Sequence, residues 1–167
     1  KSLNVSKSLA LKKQPFKDIP LRIAASSDDK LWIGGLSSIA YLDLRTWKLT
    51  VLPANLLPHT SAKDVTSISE IKPGAVFISL LNGHIIIWDN GKIVTIKDFY
   101  EKGQQYPNKI IASKPQLWDN KAWSGNAVGE LLSLDLNNYQ IKKYKDLNIN
   151  GSIRFITGRK DGLLLDV

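Results

Sequence analysis

Cysteine is absent from the 167 residues and histidine occurs twice, as His59 and His84. The side chains that most often hold metals or act as tuned nucleophiles and bases are therefore scarce. The two histidines fall in different kinds of segment, a Pro-flanked connection and a Gly-His link, and neither has a carboxylate at ligand spacing. Both read as surface residues. Paired acids such as Asp28-Asp29 would lie in a turn or point to opposite sides of a strand, which does not make an acid–base pair. Gly34-Gly35 lacks the helix that a phosphate-cradling loop needs, and no nucleophile elbow or HExxH pattern occurs. The acids that recur at a fixed spacing, Asp43, Asp89 and Asp135, each close a short apolar run ahead of a polar cluster. A carboxylate placed there accepts local backbone N–H bonds and shapes a turn. The expectation is a non-enzymatic chain with no catalytic residue, no metal site and no cofactor.

The elements around those aspartates repeat. Leu42-Asp43-Leu44 returns as Ile87-Trp88-Asp89 and as Leu134-Asp135-Leu136, with the aspartates 46 residues apart both times. An aromatic precedes each aspartate by 11 or 12 residues: Trp32, Phe77, Trp123. A strand-like run precedes each aromatic (Leu21–Ala25, Val65–Ser69, Lys109–Ala112), and another follows each aspartate (Lys48–Leu52, Lys92–Ile96, Gln140–Tyr144). Helical periodicity is absent, and short β-branched and aromatic runs alternate with Gly, Pro, Asn, Asp and Ser clusters. Four strands in about 45 residues is the period of a β-propeller blade. One blade cannot bury both of its faces, so neighbours stack around an axis.

The predicted class is thus all-β, a β-propeller of four-stranded antiparallel blades. The blades run over 21–53, 65–97 and 109–145, with a split blade from 151–167 plus 1–15. The split follows from the ends. Leu3–Leu11 matches the outer strands of the other units, and Ser152–Ile156 with Leu163–Val167 matches an inner pair. Two architectures fit: a closed four-bladed ring zipped by its ends, or a slice of a larger propeller. Lys stands at position 1 and methionine is absent, so the native start is expected to lie elsewhere, along with any signal peptide or anchor.

The bulk numbers agree with a folded domain. A hydrophobic content of 43% is ordinary for a globular chain, and at this length roughly 70% of the unfolded surface can be buried. No apolar run approaches the ~18 residues of a membrane-spanning helix. The net charge of +8 comes from lysines scattered through turns and outer strands, with no dense basic run. That reads as a solvated surface with guarded strand edges rather than a nucleic-acid face.

Asp29-Lys30-Leu31-Trp32-Ile33-Gly34-Gly35 resembles the core of the two-component-regulator propeller repeat, whose members carry a Leu-Trp-Ile-Gly-Thr-like strand, a Gly-rich link and a Leu-x-Asp strand. Gly35 replaces the usual Thr, and Ser37-Ser38 replaces the Gly-Gly link. In the second unit Ala75–Ser79 lacks the Trp and the Gly, and Asn82–Asp89 is nearer to a WD40 third strand. The third unit, Lys121–Gly125, keeps the Trp and the Gly but loses the apolar neighbours. The resemblance implies an extracytoplasmic sensor region of a bacterial membrane signalling protein, periplasmic or extracellular, that binds a small ligand or a protein. A cytoplasmic WD40-like scaffold is the alternative, and an enzyme of glycan or quinoprotein type with a site over the central axis is a second.

Propeller ligands usually sit over the axis on the face made by the links. The link Pro53–Asp64 offers Asn55, His59 and Lys63 as binding residues. Trp47 and Tyr139 are expected in turns between outer strands, and Trp118 in a turn between the first two strands of its blade. These three are the candidate interface aromatics, compatible with a protein partner or a homodimer. Trp32, Trp88 and Trp123 are locked to the repeat and are expected in the core. Neither nucleic acid nor direct membrane contact is expected; a membrane enters only through segments outside this chain.

Overall fold

A computed structural model describes Phe16 and residues 18–53, 64–81, 83–97, 113–144 and 147–167. Fourteen strands are formed by these residues. The first blade contains β1 (Pro20–Ser26), β2 (Lys30–Gly35), β3 (Ile39–Asp43) and β4 (Lys48–Val51). The second contains β5 (Val65–Lys72), β6 (Ala75–Leu80), β7 (Ile85–Asp89) and β8 (Lys92–Lys97). The third contains β9 (Gln116–Trp118), β10 (Lys121–Gly125), β11 (Leu131–Asp135) and β12 (Ile141–Tyr144). The pair β13 (Phe155–Arg159) and β14 (Gly162–Asp166) begins a fourth. Each sheet is an antiparallel meander in chain order. The all-β propeller read from the repeat is what the chain forms. Among the described residues no helix is long and apolar enough to cross a membrane.

Strand alternation sends successive side chains to opposite faces of a blade. The faces meet as seams. Trp32, Ile39, Ile68, Val76, Ile78, Ile86 and Trp88 fill the seam between the first and second blades. Phe77, Ile85, Ile87, Ala122, Leu132 and Leu134 fill the next. Trp123, Leu131, Ile153 and Ile156 fill the seam to the fourth. Trp32, Trp88 and Trp123 are all buried, as their repeat-locked positions predicted. At about 25 cal/mol per Å², a buried aromatic of this size contributes several kcal/mol, more than any exposed ion pair of the chain.

The Gly of the Leu-Trp-Ile-Gly pattern has a seam-specific cause. A Cβ on Gly34 would lie 2.5 Å from Val65 Cγ1 on the neighbouring inner strand. A Cβ on the equivalent Gly125 would lie 2.3 Å from Ile153 Cβ. In the second blade this place is taken by Ser79, fully buried, whose hydroxyl pairs with Thr66 Oγ1 at 2.8 Å. Gly35, which stands where the repeat usually has Thr, faces Asp18. A Cβ there would be 2.3 Å from the Asp18 carboxylate, which accepts from Ser37 N at 2.7 Å and from Ser38 Oγ at 2.8 Å.

Two of the recurring aspartates build turns. Asp43 Oδ1 accepts from the backbone N–H of Arg45 and Thr46 at 2.9 and 2.8 Å, and Asp135 Oδ1 accepts from Asn137 and Asn138 at 2.8 and 3.3 Å. Asp89 does something else. Its carboxylate accepts from the Tyr139 hydroxyl of the third blade and lies 3.6 Å from Lys72 Nζ, so it ties two blades together.

Three further local expectations differ from the structure. The first described strand of the third blade is Gln116–Trp118, so Trp118 ends a strand instead of occupying a turn; residues 109–112 lie outside the described residues. The inner strand of the fourth blade is Phe155–Arg159, three residues later than Ser152–Ile156. Pairing with Gly162–Asp166 fixes that register, while buried Ile153 is drawn out of the strand to fill the space beside Gly125. His84 is buried, not on the surface. It sits where β6 turns into β7, and its carbonyl accepts from Leu80 N at 3.0 Å, which pulls the residue inward. The proposed outer half of the split blade, residues 1–15, lies outside the described residues.

Candidate functional site

The first strand of each blade borders the axis, and a groove runs along these strands. One part, with a volume of about 650 Å³, is lined by β1 and β5 together with Ser113 and Lys114. A second part, of about 750 Å³, is lined by the end of β5, residues 114–117 and residues 154–156. The two share Ser69, Glu70 and Lys114, so one continuous groove crosses all the described inner strands.

Its charged residues, among those described, are Arg22, Glu70, Lys114 and Arg154. The carboxylate among them is already engaged. Glu70 accepts from Ser27 N at 2.9 Å, from Ser27 Oγ at 2.7 Å and from Gly74 N at 3.1 Å, closing the first seam. Arg22 is held by two carbonyls, donating from Nε to Thr66 O and from Nη1 to Leu21 O, both at 2.8 Å. Lys114 is exposed, on a backbone pinned by buried neighbours: Ser113 Oγ accepts from Gly125 N at 2.6 Å, and Pro115 is buried. Arg154 is exposed beside fully buried Ile153, and its own N–H donates to Asp166 O at 3.0 Å. Apolar residues that remain in water line it as well. Ile23 is 63% exposed, Leu117 45% and Phe155 67%. The groove thus presents cations together with exposed apolar residues.

The residues expected to bind behave differently. Asn55, His59 and Lys63 lie outside the described residues. Trp47 stands in the β3–β4 turn, 40% exposed. Tyr139 stands in the equivalent β11–β12 turn but is partly buried against the second seam; besides the bond to Asp89, its ring lies 4.5 Å from Lys72 Nζ. Burial and the Asp89 hydrogen bond raise the Tyr139 phenol above its ordinary value, with Lys72 opposing. Trp118 is partly buried in the third seam, where Nε1 donates to Arg159 O at 2.8 Å and the ring packs 6.1 Å from Trp123. Trp118 and Tyr139 therefore spend most of their contact area between blades. Sequence reasoning missed the groove because its residues come from four units. The one available signal was the basic–apolar pair on inner strands, Arg22-Ile23 and Arg154-Phe155. Among the described residues no three His, Cys, Asp or Glu side chains converge as a metal site would need.

No protein-family model matches the chain, and no curated protein matches it. Solved structures do. The fold is similar to the extracellular domain of BT4673 from B. thetaiotaomicron, described as a one-component and, in a second structure, a hybrid two-component system. The TM-score is 0.65 at 26% identity, covering 92% of this chain and 21% of that one. The chain therefore spans about a fifth of that protein's length. That neighbour is the extracellular domain of a two-component-type system, the kind of protein that the first repeat resembles. The computationally designed Ika4 protein matches over 89% of this chain and 91% of its own, with TM-score 0.63 and 18% identity. Quinohemoprotein alcohol dehydrogenase from Comamonas testosteroni matches over 76% and 21%, with TM-score 0.55 and 17% identity. The latter two likenesses speak for the fold alone.

Proposed function

We propose that this chain is the blade region of an extracytoplasmic sensor, the input part of a bacterial signalling protein, and that it recognises its ligand over the propeller axis without chemical turnover. Two things support the reading. The likeness to the extracellular domain of a two-component-type protein extends over nearly the whole chain. The axial groove also brings cations and exposed apolar residues together, Arg22, Lys114 and Arg154 with Ile23, Leu117 and Phe155. Residues kept unburied on the rigid inner strands are suited to holding something that arrives from solution. A protein partner at the exposed Trp47 turn is compatible with the same role.

The test is a thermal-shift screen of the chain against a mixed panel of sugars, amino acids, nucleotides, organic acids and short peptides. A ligand present at 100 times its Kd adds about 2.7 kcal/mol to the folded state and raises the Tm by several degrees. A hit whose effect disappears with Phe155→Ser and Leu117→Ser supports the axial site. Consumption of the hit compound on incubation would overturn the non-enzymatic part. Hits that are indifferent to groove substitutions would move the site elsewhere.

A further inference from the structure

We propose that the axial groove selects a small organic anion, one negative group on an apolar body. This rests on the sensor reading above and narrows it to a ligand class. Among the described residues three cations line the groove against one carboxylate, and that carboxylate is spoken for by Ser27 and Gly74. The cations are also more than part of a generally basic surface. Arg22 is oriented by two backbone carbonyls. Lys114 and Arg154 rise from backbone fixed on buried neighbours, Ser113 and Pro115 in one case and Ile153 in the other. Lys114 lies where the two parts of the groove meet, so it reaches a ligand seated in either.

The apolar residues set the rest of the ligand. Ile23 lines the part of the groove that holds Arg22 and Lys114, and Leu117 and Phe155 line the part that holds Lys114 and Arg154. Each part of the groove thus contains both cations and exposed apolar residues. An inorganic anion would leave these side chains in water, and a purely apolar ligand would strip water from three cations without replacing it. A carboxylate, sulfonate or phosphate ester with an aliphatic or aromatic body satisfies both. The concave, partly sheltered wall strengthens a charge-assisted hydrogen bond over its value in open water.

The experiment uses three probes with one body and three charges: 4-phenylbutyrate, 4-phenylbutanol and 4-phenylbutylammonium. Each is titrated into the isotopically labelled chain, and amide shifts are followed by NMR. The anion is expected to bind about tenfold or more tighter than the alcohol, shifting the amides of Ile23, Glu70, Lys114, Leu117 and Phe155. The ammonium is expected to bind weakest. The double variant Lys114→Gln, Arg154→Gln keeps both side chains long and solvated, so it folds, and it brings anion and alcohol to within about twofold. Raising the salt is expected to weaken the anion and spare the alcohol. Equal binding of all three in the groove overturns the charge selectivity and leaves the axial-ligand reading standing. Shifts outside the groove, or none, overturn the proposal. In that case neutral hits from the thermal-shift panel that depend on Phe155 and Leu117 would keep the sensor reading, and their absence would end both.

Discussion

Gly34 and Gly125 hold equivalent places in two seams, each pressed by the neighbouring blade, at Val65 of β5 and at Ile153 ahead of β13. Around that shared point the seams are filled differently. Between the first two blades Trp32, Tyr41 and Trp88 form a ring triad with centroids 5.2, 5.4 and 5.9 Å apart, and Trp32 is 1% exposed. Glu70 and Arg22 add hydrogen bonds across the same seam. Between the third and fourth blades Trp118, Trp123 and Tyr144 form a row instead, at 6.1 and 5.6 Å. Much of its surround, Trp118, Tyr144, Leu163 and Leu165, is only partly buried. The repeat therefore conveys the distance of closest approach faithfully, while the filling of each seam is set separately, by which residues the neighbouring blade supplies.

Four measurements test that contrast. Trp32→Ala is expected to cost about 3–5 kcal/mol, and Trp123→Ala at the matching place less, because part of its cavity wall is already near water. Urea unfolding of both variants gives the two values; equal losses would remove the contrast. Gly34→Ala and Gly125→Ala are expected to cost about 1–3 kcal/mol each by overpacking. A silent Gly125→Ala would mean that Ile153 does not hold its place against β10.

Tyr139 and Trp47 give a third comparison, since they occupy the same turn position in different blades. Tyr139→Phe removes the donor to Asp89 and is expected to cost about 1 kcal/mol, whereas Trp47→Phe is expected to change stability by less than about 0.5 kcal/mol. The reverse order, read from chemical denaturation, would show that the Asp89 latch is not formed.

The smallest expected effect concerns acid. In Asp18 and Asp28 burial pushes the carboxyl up, but it is outweighed, for Asp18 by hydrogen bonds from Ser37, Ser38 and Ile19 and for Asp28 by Lys30 and Ser26. The Thr46 N–H holds Asp43 down. All three carboxyls thus lie below the ordinary value of 3.8. Their contribution is present above that value and is lost as the pH falls through the lower folded values. Because these groups are close to solvent, Asp18 and Asp28 together are expected to give only about 1 kcal/mol or less. All three belong to the first blade or its approach, so tryptophan fluorescence at falling pH should report the Trp32 seam loosening before the Trp123 seam. Simultaneous loosening would contradict the assignment.

The amino-acid sequence by itself determined the period, the four-strand unit, the antiparallel order and the burial of Trp32, Trp88 and Trp123. These depend on alternation and turn chemistry within about 45 residues, which local pattern encodes. It also fixed the turn role of Asp43 and Asp135, because a carboxylate reaches N–H groups two and three residues on whatever surrounds it. What lay beyond it are the features made between units. Asp89 shares the repeat position but bonds to Tyr139, 50 residues away. His84 looked exposed in a Gly-His link and is buried by the way β6 turns into β7. Ile153 left its predicted strand for the space that Gly125 opens. The groove is the clearest case: Arg22, Glu70, Lys114 and Arg154 come together only because stacking places the first strand of every blade on one axis, and no spacing along the chain reports which side chains will meet there.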